Sequence, residues 1–169
     1  MNQTQMGGRD RSYSWDDPRP ALARLPVTAG ADLLRAMERG ELPVPPLAAT
    51  LDFERISLVQ EGTVELTLVP GEHHLNPLGT VHGGVIAAML DTVAGCAVHS
   101  VLPAGTGYTT LDLHTRFLRA ITPATGRVRA EGTVVSRGSR TATAEARLVD
   151  ESDRLLATAT STCLVFPLT

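Results

Sequence analysis

Asn76-Pro77-Leu78-Gly79-Thr80-Val81-His82-Gly83-Gly84-Val85-Ile86-Ala87-Ala88-Met89-Leu90-Asp91 is the stretch that decides how this chain folds. A Gly-Gly pair opens a helical pattern, and one carboxylate interrupts the apolar run behind it. An unpaired acid in such a helix costs on the order of several kcal/mol unless it is hydrated, bonded or used. The first amides of a helix have no acceptor within it, so they can hold a developing oxyanion where glycine lets it approach. Asp91 is the candidate base of the same site. The plainer alternatives are a tight turn at Gly83-Gly84 and a structural Asp91 bonded to nearby hydroxyls.

Outward from this stretch the pattern stays helical to residue 102. Val85, Met89, Val93, Ala97 and Val101 recur every four residues, and Ile86, Leu90, Ala94 and Val98 run beside them. The opposite side is also small or apolar (Ala87, Ala88, Gly95, Cys96), which predicts a helix buried in the middle of the domain. Upstream, 53–60 and 63–69 have strand character, with Glu61-Gly62 as the hairpin turn and a loop over 73–80. Downstream, four more strands are predicted at 108–119, 126–136, 140–149 and 154–166. The expected class is α+β, an antiparallel sheet wrapped around one long helix. This domain spans 47–169. Residues 1–46 form an N-terminal extension: a polar, disordered run to about Pro20, a helix over 29–39 and a proline-rich linker at 42–46.

The order of elements, with Asn76-Pro-Leu-Gly-Thr-Val-His-Gly-Gly84 and Asp91 nine residues after His82, resembles the hotdog fold. Within it, residues 47 to 166 are similar to the phenylacetate-pathway (PaaI-like) acyl-CoA thioesterases. That resemblance implies hydrolysis of an acyl-CoA to the free acid and CoA, and places the carbonyl-polarising role on the Gly83 amide beside Gly84. Asp91 would act as general base on water or as nucleophile, a choice the sequence leaves open. Asn76 suits the water, or merely forms the turn before Pro77. His82 fixes the loop or contacts the thioester, and Thr110 matches a position close to the water. The Arg137-Gly138-Ser139-Arg140 turn is the candidate contact for the CoA phosphates.

Gly83 and Asp91 stand eight residues apart, about 12 Å along a helix axis. One carbonyl cannot meet both on the same helix, so two antiparallel helices are expected to build each site. The resemblance implies the same homodimer, with two such dimers associating as the further expectation. CoA is part of the substrate and no separate cofactor is expected. His73, His74, His82 and Asp91 match no familiar metal-ligand spacing, so no metal is expected either.

Composition narrows the field. All 15 basic residues are arginine, which excludes Schiff-base and lysine-base chemistry, and the net charge is −3. Residues 116–147 nonetheless carry seven arginines against two acids, either a solvated sheet face or a site for a phosphorylated ligand. The acidic whole and the lack of interleaved aromatics argue against nucleic acid. Cys96 and Cys163 are expected as reduced core residues. No secretory signal is recognisable, and Val85–Leu90 is too short an apolar run for a membrane span, so a cytoplasmic protein is expected. A non-catalytic acyl-CoA-binding or regulatory protein is the alternative, and a carrier-protein thioester is a further substrate class left open. The acyl group is not legible from composition.

Overall fold

A helix with no polar face has to be enclosed, and in the computed structural model six strands enclose it. The structure describes residues 7–168. Three short helices come first: α1 (Arg19–Leu22), α2 (Gly30–Glu38) and α3 (Pro46–Thr50). The hairpin β1 (Phe53–Gln60) and β2 (Thr63–Leu68) precedes the central helix α4 (Gly83–Ser100). Four strands follow: β3 (Thr106–Phe117), β4 (Val128–Arg137), β5 (Thr141–Asp150) and β6 (Leu155–Pro167). All pair antiparallel in the order β1-β2-β4-β5-β6-β3, the layout that the hotdog resemblance implies.

The strands can wrap because their inner faces are small. Ala130, Gly132, Ala142, Ala144, Ala146, Ala157 and Ala159 face α4, whose Leu90, Val93, Ala94, Ala97 and Val98 are fully buried. A Cβ on Gly132 would lie 2.3 Å from the Val93 carbonyl oxygen, so β4 crosses the helix at backbone contact. The expected alternation in the second and fifth strands is present: Val64, Leu66 and Leu68 are buried, as are Ala142, Ala144, Ala146 and Leu148. At its C-terminal end α4 is tied to the first hairpin, where the Gly62 amide donates to Ser100 Oγ at 2.7 Å. With mean hydropathy 1.3 the helix is long and apolar enough for a bilayer, yet 61% of it lies inside the protein. Both cysteines are free.

β3 carries the one irregularity that matters to the site. Its register against β6 shifts between Thr110 and Asp112, so Leu111 is an extra residue in the ladder. Tyr108 and Thr110 pair with the inward Val165 and Cys163, and beyond the bulge Leu113, Thr115 and Phe117 pair with the inward Ser161, Ala159 and Ala157. Thr110 and Phe117 therefore both face α4, seven positions apart.

The N-terminal part departs from the sequence expectation in two places. Helix α1 starts at Arg19, inside the run expected to be disordered; residues 7–17 have no regular structure and residues 1–6 lie outside the described residues. Pro46, expected to close a linker, instead opens α3, because proline at the first helical position loses no hydrogen bond. Helix α2 matches its expected place, and a Cβ on Gly30 would fall 1.8 Å from the His99 carbonyl oxygen, so only glycine lets it dock on the end of α4.

The loop before α4 begins with a single 3-10 turn, Glu72–His74, that buries His74. Its Nδ1 accepts from the Gly71 amide at 3.0 Å and its Nε2 donates to the Leu51 carbonyl at 3.0 Å. Burial, aided by His73, pushes the His74 pKa below its ordinary 6.5, and burial does the same at His99. Such a group favours folding fully above the unfolded pKa, and the benefit is lost as pH falls below it. Unfolding free energy should thus be flat above about pH 7 and fall on acidification by up to about 1.4 kcal/mol per pH unit for each histidine. Denaturant melts from pH 7.5 to 5 check this; His74→Gln should make the profile shallower.

Candidate active site

The first turn of α4 forms one half of the site. His82 caps the helix, its Nδ1 accepting from the Gly84 amide at 2.9 Å. The Gly84 amide is thereby already engaged, and the His82 ring holds the start of the helix. The Gly83 amide has no acceptor among the described residues and opens on a cavity of about 300 Å³ with Asn76, Phe117 and Arg119. A Cβ on Gly83 would stand 3.2 Å from the Phe117 ring, which marks how narrow the approach is.

Asn76 is largely occupied with shaping this loop. Its Oδ1 accepts from the Leu78 and Thr80 amides at 2.9 and 3.2 Å, while Nδ2 donates to Thr80 Oγ1 at 2.9 Å. The turn-forming reading thus has direct support, and one Nδ2 hydrogen is left for a ligand.

The other half lies two turns further along α4. Asp91 is half-buried, and its Oδ1 accepts from Thr110 Oγ1 at 2.9 Å. Oδ2 has no partner among the described residues, so the carboxylate is oriented at one oxygen and available at the other. Asp91 and Thr110 stand at the edge of a second cavity, about 460 Å³, that Asn76 and Gly83 do not line. Within one chain the site residues therefore fall into two groups, Asn76–His82–Gly83 and Asp91–Thr110. A separate groove of about 890 Å³ lies elsewhere, lined by Glu131, Glu145 and Arg147.

The cavity beside Asp91 also has lining residues to which the sequence reading gave no part in the site. Gly95, Cys96, His99 and Tyr108 line it. Asp91, Gly95 and His99 recur every four residues, a row of α4 that was visible in the sequence but hidden by the apolar rows beside it. Burial pushes the Cys96 thiol up to about 12, which disfavours its thiolate form. The Tyr108 hydroxyl is likewise raised well above its ordinary value, first by burial.

The arginine-rich segment does not form one basic patch. Arg127 pairs with Glu54, Arg129 with Glu65, Glu131 and Asp153, and Arg147 with Glu131, all acids that the linear count placed elsewhere or counted once. Arg119 holds the Leu155 carbonyl. Arg137 and Arg140 have no acidic partner among the described residues and sit with Gly138 on the exposed β4–β5 turn. The group Asp52, His73 and His74 has ligand atoms within 4.8 Å of one another, but both His74 nitrogens are already engaged and His73 Nε2 pairs with Asp52 at 3.0 Å.

Residues 78–157, which include Gly83, Asp91 and Thr110, match the thioesterase superfamily. A solved structure from Ralstonia eutropha JMP134, described as a thioesterase and phenylacetic acid degradation-related protein, is 36% identical and superposes with TM-score 0.70. The match covers 78% of this chain and 98% of that one. The chain belongs to the thioesterase superfamily. A Halobacterium salinarum protein named as an esterase is 40% identical over 86 residues, 50% of this chain, and the chain spans about half (51%) of that relative's length. A Streptococcus mutans UA159 protein solved bound to acetyl CoA shares the fold, with TM-score 0.61 and 24% identity over 69% of this chain and 90% of that one. The superfamily match covers α4, β3–β5 and the first residues of β6, and does not include α1–α3, β1 or β2.

Proposed function

We propose that this thioesterase hydrolyses acyl-CoA at sites shared between two subunits. The observation that carries the reading is the separation on α4 of an acceptor-free Gly83 amide from an oriented Asp91, both open to cavities. At about 12 Å along the helix, they serve one carbonyl only if a second copy supplies one of them. The unpaired outer edge of β3 offers the means. This twelve-residue strand exposes Leu111 and Phe117, and such an edge recruits another strand. Antiparallel pairing of two β3 strands about a twofold near the strand centre brings the Thr110 half of one strand alongside the Phe117 half of its partner. Asp91 then faces Gly83 of the partner subunit.

In that geometry the thioester oxygen accepts from the Gly83 amide, and the carbonyl carbon becomes electrophilic. Water gives a proton to Asp91 as its oxygen bonds to that carbon; the C–S bond then breaks and the CoA sulfur takes the proton back. Direct attack by Asp91 uses the same arrangement through a mixed anhydride. Arg137 and Arg140 contact the CoA phosphates. No resident cofactor or metal enters these steps, and an acyl-CoA substrate suits a cytoplasmic enzyme.

Mixing two inactive variants, Asp91→Asn and Gly83→Val, tests the shared site. Subunit exchange creates dimers with one intact site, so up to about a quarter of native activity should return in a thiol-release assay. No recovery on verified exchange would mean that each chain works alone. Replacing Arg137 and Arg140 by Gln should raise KM for acyl-CoA several-fold and leave kcat unchanged. A phosphate-free N-acetylcysteamine thioester should be indifferent to the change; equal effects on both substrates would remove the phosphate contact.

A further inference from the structure

The cavity beside Asp91 is walled largely by residues that the sheet does not supply. Leu22, Leu34, Met37 and Leu47 of α1–α3 line it, as do Asp91, Gly95 and His99 of α4. His99 is 9% exposed, and neither ring nitrogen has a hydrogen-bond partner among the described residues. No buried side-chain nitrogen or oxygen there is sealed off without a partner, so the ring reaches into the cavity. The cavity therefore has an apolar lining that carries Asp91, together with two polar groups without a nitrogen or oxygen hydrogen-bond partner among the described residues, the His99 ring and the Tyr108 hydroxyl beside it, with ring centroids 5.4 Å apart.

We propose, building on the thioesterase reading, that this cavity holds a medium-length acyl group whose far end carries an oxygen that hydrogen-bonds His99. From Asp91 to His99 is eight residues, about 12 Å, the length of an extended chain of roughly eight to ten atoms. Acetyl leaves the chamber unfilled. A plain alkyl chain fills it but takes water away from His99 without replacing the hydrogen bond, which disfavours binding. A terminal hydroxyl restores the bond, since a neutral imidazole offers one donor and one acceptor. Burial holds the ring in that neutral form. Met37 and Leu34 set the length available, so the extension acts as the selector and the domain behind it as the catalyst.

The test compares acetyl-CoA, octanoyl-CoA and 8-hydroxyoctanoyl-CoA with the native protein, His99→Leu and Met37→Trp. The native protein should favour the hydroxylated ester over octanoyl by about tenfold in kcat/KM, with acetyl lowest. His99→Leu should abolish or invert that preference while still cleaving octanoyl-CoA. Met37→Trp should lower the octanoyl-to-acetyl ratio at least tenfold. In parallel, octane-1,8-diol and octan-1-ol, which have no scissile bond, are titrated into the native protein while the His99 ring is followed by NMR. The diol should shift that resonance saturably and the mono-alcohol should shift it less. Equal rates for the two eight-carbon esters, or a diol that leaves His99 unmoved, would overturn the proposal. A diol that binds at His99 in a protein that cleaves no CoA ester would uphold the chamber and remove the proposed activity instead.

Discussion

Asp91→Asn should lower kcat/KM for thioester hydrolysis by about 10²–10⁴-fold, the range that a positioned general base contributes. The amide has nearly the same shape and its oxygen can still accept from Thr110 Oγ1, so the local geometry is kept. Only the ability to take a proton or attack carbon is lost. The melting temperature should hold or rise, because a half-buried acid retained for chemistry does not optimise the fold. Thiol release with a CoA-ester panel, paired with a thermal melt, measures both. Native turnover in this variant would dismiss Asp91 from the reaction.

The second large effect is on folding. Gly132→Ala places a methyl 2.3 Å from the Val93 carbonyl oxygen, 2.4 Å from its carbon and 2.7 Å from the Ala94 amide nitrogen. All three are backbone atoms of the central helix and cannot step aside as a side chain would. The strand must move off α4 and open the core along its length. We expect a loss of about 3 kcal/mol or more, which for a domain of this size lowers the melting temperature by roughly 6–12 °C. Gly8→Ala, where nothing lies within 4 Å, is the control and should melt like the native protein. An unchanged melting curve for Gly132→Ala would show that the helix and β4 are less tightly apposed than described.

Much of the fold was legible because α4 has no polar face and the strands alternate cleanly. An all-round apolar helix has to be buried, the alternating segments around it supply a sheet to do so, and the Ala-rich strand faces say which side turns inward. The same reading proposed Gly83 and Asp91 from their chemistry, and the spacing that sets them apart is that of one continuous helix. It did not find α1 or α3, because four- and five-residue helices rest on tertiary contacts and carry little periodicity of their own. It counted charge along the chain and so could not see Glu54, Glu65 and Asp153 folding back onto Arg127 and Arg129. The dual use of Asn76 was equally invisible, since Asx-turn bonding depends on the loop's path. His99 escaped notice because a lone histidine in a buried helix row is ordinary until the extension hollows out a space against it.

The extra residue at Leu111 has a consequence for how the two halves of the site coexist on one strand. In a regular strand, positions separated by an odd number lie on opposite sides, so Thr110 and Phe117 could not both look at the helix. A ladder that kept Leu111 but paired it regularly, without the bulge, would turn one of them to solvent. Either the hydroxyl that steadies the acid or the ring that narrows the amide's approach would then be lost, so the proposed chemistry would rest on a half-step error in an otherwise even count.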